Sequence, residues 1–431
     1  MATFQLECHQ NEFLPEGGDR VTAIVRVTSA GSGLAAVLGP GPTPDSGSET
    51  DRAEVIIIDA SGSMDGVRLR EARQAAEAAI DCIEDGVRFA LVAGNHSAWR
   101  LYPDQSGMAL AVSSPASRED ARSAVRRLRA GGGTAIGQWL DLTTGLLRDQ
   151  HGINHAILLT DGVNETESEA DLDGAIERAT GAFQCDCRGV GGGWKVSELR
   201  RVSDGLLGNL GMVAVPSGLS EDFRTLMQGS MARSVAGVTL RLWVPANAEV
   251  DFVKQVSPAE QVLVAGPAEP DAMTRDYDTG AWGDESRDYH LSIRVAPAGL
   301  GEERLAGRVT LLVGDEPAGQ ALVRAVWTDD VERSTTLNRM VADYTGQAEA
   351  AALIADAIEV RHNGDDSAAA DKLTQALHLT RQAGNTENEA RILALVDEDP
   401  VTGKIKMKRT IDPLDEMDLD TNSRRTKRVD P

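Results

Sequence analysis

Two carboxylates and three hydroxyls carry the chemistry this sequence offers. The stretch VIIIDASGSM, residues 55–64, runs four branched apolar residues straight into Asp59, Ser61 and Ser63. Further on, the glycine-rich GGGTAIG holds Thr134, and the apolar run HAILLTD ends in Asp161. All are hard oxygen donors, a set that suits Mg2+ or Mn2+, whereas zinc would recruit His or Cys. The seven histidines, among them His9, His96, His151 and His155, are scattered, and none is assigned to a metal.

Oxygens can be fixed for an ion only if the elements beneath them are rigid. The VIII run predicts a strand over 55–59, buried on both faces, and a helix follows near 65–84 with the stripe Leu69, Ala72, Ala76, Ile80 and Ile83. Strands are then expected over 88–93, 154–160, 183–189 and 212–215, with strands or turns around 99–112. Helices are expected over 118–130, 136–148, 170–180, 196–207 and 221–233. Strands alternating with helices give an α/β fold, a doubly wound and mostly parallel sheet covered on both faces. In such a sheet ligands bind beyond the carboxyl ends of the strands, where Asp59 and Asp161 stand. A strand buried on both faces is a post that holds oxygens in place without loop entropy.

Residues 3–38 alternate in the strand manner, as in Val21, Ala23, Val25 and Val27, with a turn at PEGGD. Residues 39–51 begin as a Gly/Pro/Ser-rich linker. Alternation returns over 234–328, clearest in VTLRLWV, YHLSIRV, GRVTLLV and ALVRAVW. Residues 1–38 and 234–328 are therefore expected to form one β-sandwich, with the α/β domain, 52–233, inserted into it. Residues 331–396 carry apolar positions at helical spacing, such as Leu373, Ala376 and Leu379. Residues 397–431 are charged and poor in aromatics, which reads as a flexible tail.

At 431 residues the chain has room for two to three domains. A net charge of −24 and a pI near 4.7 exclude nucleic acid as the main partner and favour cations. MATFQLECHQ has no basic segment followed by an apolar one, and no apolar run nears the roughly 20 residues of a membrane span, so a cytoplasmic location without membrane contact is expected. Cys8, Cys82, Cys185 and Cys187 form no metal or disulfide pattern and read as free thiols.

Taken together, DASGS, a threonine in a glycine-rich loop and an apolar strand ending in TDG resemble the metal-ion-dependent adhesion site of von Willebrand factor A domains. The resemblance spans about 52–233, including GVGGGWKVSELRRVSDGLLG. It implies that Asp59, Ser61, Ser63, Thr134 and Asp161 hold a metal, and all five match in order and spacing. In that family one coordination position is typically left for a carboxylate of a partner. The implied function is a Mg2+-dependent protein-interaction module without catalytic residues.

Other readings fit less well. DASGS alone could be an N-capped helix start. A haloacid-dehalogenase-type phosphatase needs a second acid where Ser61 stands, and a nucleophile elbow needs glycine where Asp59 stands. GVGGG lacks the acid of a dinucleotide loop. Cytosolic proteins with this domain include adaptors of MoxR-type AAA+ ATPases and components of clusters with Ser/Thr kinases, phosphatases and forkhead-associated proteins. The Ala-, Gly-, Arg- and Asp-rich composition is compatible with an actinobacterium. A forkhead-associated partner could read a phosphorylated Thr410, Thr421 or Thr426 in the tail, best at Thr426, whose +3 residue is aliphatic.

Overall fold

The computed structural model describes residues 3–31, 51–104, 109–266, 273–399 and 404–430. Of the expected linker only Asp51 lies within the described residues. The chain forms two units, one from the described residues between 40 and 234, the other from those before 40 and after 234.

The α/β unit is built on a seven-stranded sheet. Its main path runs Leu210–Val213, Gln184–Val190, Ile153–Thr160, Arg52–Asp59, Arg88–Gly94 and Ala98–Tyr102. The first five are parallel, and Ala98–Tyr102 closes the edge antiparallel. Arg52–Asp59 is buried along its whole length, the expected state of a branched apolar run between two parallel neighbours and two helical layers. Val67–Asp81, Pro115–Arg127 and Leu219–Met231 share a core on one face, through Leu69, Ala76, Val125 and Phe223. Ile136–Leu147, Glu169–Ala179 and Val196–Gly205 pack in succession elsewhere on the unit. The chain moves from Arg52–Asp59 to Arg88–Gly94 on one side and later places Ile153–Thr160 on the other. That divergence makes the end of Asp59's strand a topological switch point, where ligands bind in open α/β sheets.

At the other end of the same strands lies a buried ionic cluster. His155 Nδ1 is 2.8 Å from Glu54 Oε2, and its Nε2 is 2.9 Å from Asp186 Oδ2. Ser230 Oγ donates to Glu54 Oε1 at 2.6 Å, and the Asn209 amide donates to Asp186 Oδ1 at 2.7 Å. Burial disfavours the charged imidazole, but Glu54 and Asp186 outweigh it and raise the pKa of His155. Burial likewise opposes ionisation of Asp186, and His155, aided by Arg233 and Arg188, holds it far below the ordinary carboxylate range. His155 is thus a core histidine that links three strands.

The second unit contains two five-stranded sheets. One runs Thr3–Gln10, Arg20–Ala30, Ser286–Arg294, Glu249–Ser257 and Gln261–Val262; the other runs Thr274–Asp278, Val238–Trp243, Glu303–Val313, Glu316–Trp327 and Phe13–Leu14. Strands from before 31 and after 235 therefore pair directly, as Arg20–Ala30 does along Ser286–Arg294. The long helices Arg339–His362 and Asp366–Ala383 follow, then Thr386–Leu395.

For the described residues 397–399 and 404–430 the expectation of a flexible tail is overturned. Val396–Glu398 and Ile405–Met407 form a hairpin, and Pro413–Asn422 is a helix that begins on an Asp412 cap with proline in its first turn. Ile405 and Leu419 enter one core with Leu373, Leu377 and Ile392. Residues 424–430 run back along the sandwich, where Val429 is buried among Ile24, Val256, Met340, Val341 and Tyr344. Arg26, paired with the fully buried Asp288, donates to the Val429 carbonyl at 2.6 Å. Ile405, Leu419 and Val429 of the segment each enter a core, a placement that average composition conceals.

Candidate functional site

Asp59 ends its strand fully buried. Its Oδ1 accepts the Ser61 amide at 2.7 Å, and its Oδ2 accepts the Thr160 hydroxyl from the neighbouring strand. The chain turns through Gly62–Met64 into the helix Val67–Asp81, so that Ser61 Oγ and Ser63 Oγ lie 3.0 Å apart. Ser63 Oγ donates to Asp161 Oδ1 at 2.6 Å. Thr134 arrives on the glycine loop, which is stitched to the first turn: Gly131 N donates to Ala60 O and Gly62 N to Gly132 O, both at 2.8 Å. Thr166 fixes it from the other side, its hydroxyl donating to Thr134 O at 2.7 Å.

The structure brings all five sequence-derived residues together, and Gly162 marks their meeting point. A Cβ there would lie 3.1 Å from Thr134 Oγ1, 3.3 Å from Ser63 Oγ and 3.8 Å from Asp59 Oδ2. A side chain at 162 would fill the cradle that the oxygens surround. Glycines also admit the neighbouring loop, since a Cβ on Gly193 would meet the Asp161 carbonyl at 2.7 Å. The run GVGGG is therefore a close-packed turn against Asp161.

Burial pushes the pKa of Asp59 up, and the negative charge of Asp161 adds to that, against the hydrogen bonds from Thr160 and Ser61. A cation between the carboxylates would remove both penalties. Among the described residues no group of three or more His, Cys, Asp and Glu side chains is placed to hold a metal. An ion at this site would rest on hydroxyls as much as on carboxylates, which fits Mg2+ or Mn2+ by donor chemistry. Sequence reasoning missed two participants. Thr160 precedes Asp161 in TDG and orients Asp59, and Arg68 donates to Asp161 Oδ2 at 2.7 Å.

The other sequence candidates have structural roles. All four cysteines are free, with Cys185 and Cys187 buried. Thr426 Oγ1 donates to Val256 O at 2.5 Å and Thr421 is buried, which leaves Thr410 as the exposed threonine of the three.

Comparison with known proteins bears on the family and the fold. The von Willebrand factor type A domain profile matches residues 55–201, and the von Willebrand factor type A C-terminal domain profile matches residues 378–423. The solved structure of a von Willebrand factor type A protein from Catenulispora acidiphila is 40% identical, covers 99% of this chain and 98% of its own, and superposes with a TM-score of 0.92. The ArnB paralog VWA2 from Sulfolobus acidocaldarius shares the fold, at 16% identity, 98% coverage of both chains and a TM-score of 0.60. The uncharacterized protein sll0103 of Synechocystis is 31% identical over 217 residues, 47% of this chain and 48% of that protein. The chain thus spans about half the length of that curated relative.

Proposed function

Because this chain belongs to the von Willebrand factor type A family, we propose that its oxygen cluster binds a divalent cation, Mg2+ or Mn2+, and presents it to an acidic side chain of a partner protein. Domains of this family are protein-interaction modules. The observation that carries the reading is the convergence of Asp59, Ser63 and Thr134 oxygens on one point beside Gly162, with Asp161 and Ser61 linked to it through Ser63. Asp59, Ser61, Ser63, Thr134 and Asp161 would hold the ion, and the ion would supply an electrophilic point for a carboxylate oxygen. Ser63 donates to Asp161, but both would be ligands of the ion, which supports a binding role over hydrolysis.

Cation binding is read by thermal stability. A ligand that binds only the folded state at about 100 times its Kd adds roughly 2.7 kcal/mol. Wild type should therefore melt higher in excess Mg2+, and Asp59→Ala should lose that increment. Equal responses of the two proteins would sink the site assignment.

For the wider system we favour a bacterial signalling or assembly complex with Ser/Thr kinase, phosphatase and forkhead-associated proteins, with a MoxR-type ATPase adaptor as the alternative. Thr426, expected as the best phosphorylation site, instead has its hydroxyl bonded to the sandwich backbone. A forkhead-associated partner would have to use the exposed Thr410. No described helix is long and apolar enough to cross a membrane.

A further inference from the structure

Arg68 stands where local preference argues against a cation. It is the second residue of the helix Val67–Asp81, whose first turn contains no acid and whose N-cap, Gly66, contributes no side-chain hydrogen bond. The positive end of a helix disfavours a basic side chain. Yet the Arg68 guanidinium donates from Nη1 to Asp161 Oδ2 at 2.7 Å and to the Ser63 carbonyl at 3.1 Å, bridging two parts of the cluster. Among the described residues it is the one basic side chain bonded to either carboxylate of the site. A residue placed against its local electrostatics points to a role elsewhere.

We propose that Arg68 is a specificity-determining residue that sets the charge of the loaded site, a reading that rests on the cation site proposed above. Two carboxylates around a divalent ion cancel its charge, and a further carboxylate from a partner would leave the assembly anionic. With Arg68 included, the loaded site carries one net positive charge, which a single partner carboxylate cancels. The same guanidinium repels the incoming ion. Arg68 thus weakens cation binding and favours a singly charged acidic side chain as the partner group.

The test is Mn2+ titration calorimetry on the full chain, comparing wild type, Arg68→Met, Arg68→Lys and Asp59→Ala. Removing a unit charge a few ångströms from a divalent ion should tighten Mn2+ binding about tenfold in Arg68→Met, even after solvent screening. Arg68→Lys, which keeps the charge, should stay within about threefold of wild type by the same Coulomb argument. Arg68→Met at or below wild-type affinity, with Asp59→Ala unable to bind, overturns the role of Arg68 alone. Asp59→Ala binding as wild type overturns the site itself. Uptake by Arg68→Met with none by wild type supports Arg68 as a tethered competitor, and no uptake by either protein overturns both readings.

Discussion

Replacing His155 with leucine is expected to lower the stability of the α/β unit by about 3–5 kcal/mol, the cost of removing one member of a buried ion pair. Leucine fills much of the imidazole's volume, so the loss reports charge more than a cavity. It would leave Glu54 and Asp186 buried without the cation that both face. Guanidinium unfolding measures the effect, and a midpoint unchanged from wild type would sink the claim. The pH dependence has a definite sign. His155 has a raised pKa in the fold, so its contribution is full below its unfolded value of about 6.5 and fades as pH rises through the folded value. Asp186 has a lowered pKa, so its contribution is full above about 3.9 and fades as pH falls through the folded value. The stabilisation by the pair should be greatest between those limits and decline on the alkaline side.

A chain ending at Ser423 is expected to lose roughly 3 kcal/mol or more from the sandwich unit. Truncation empties the position of Val429, a burial that contributes about 1.5–3 kcal/mol. It also removes the carbonyl that accepts from buried Arg26 and both backbone groups of Lys427 that bond Gln347. An orphaned buried donor costs about 1–3 kcal/mol more. Calorimetry of the truncated and complete chains measures the difference. A solvated tail would leave the transition where it was, and that result would refute the docking of residues 424–430.

The contrast between these segments bears on what a sequence discloses. The oxygen cluster was legible because each donor sits at the end of an apolar run or among glycines, signals that are local. Thr160 and Arg68 were missed because their partners come from other elements: Thr160 meets Asp59 across a strand pair, and Arg68 reaches Asp161 from a helix start. The His155 cluster was hidden for the same reason. Glu54, His155 and Asp186 lie on three different strands, and only the sheet brings them together. The tail deceived because charge averaged over a segment does not disclose that Ile405, Leu419 and Val429 each find a core.

The pairing of Arg20–Ala30 with Ser286–Arg294 also sets a clock. Arg26 and Asp288 are 262 residues apart. At roughly 5–20 residues per second, the ribosome needs about 13 to 50 s to supply the strand that the earlier one requires. During that interval residues 51–234 can finish their own sheet, while Arg20–Ala30 waits as an open edge able to pair with a neighbouring nascent chain. Arrested nascent chains probed by protease should protect the α/β unit before the sandwich. Crowded polysomes would then endanger this protein through the early strand, long before its equilibrium stability has any meaning.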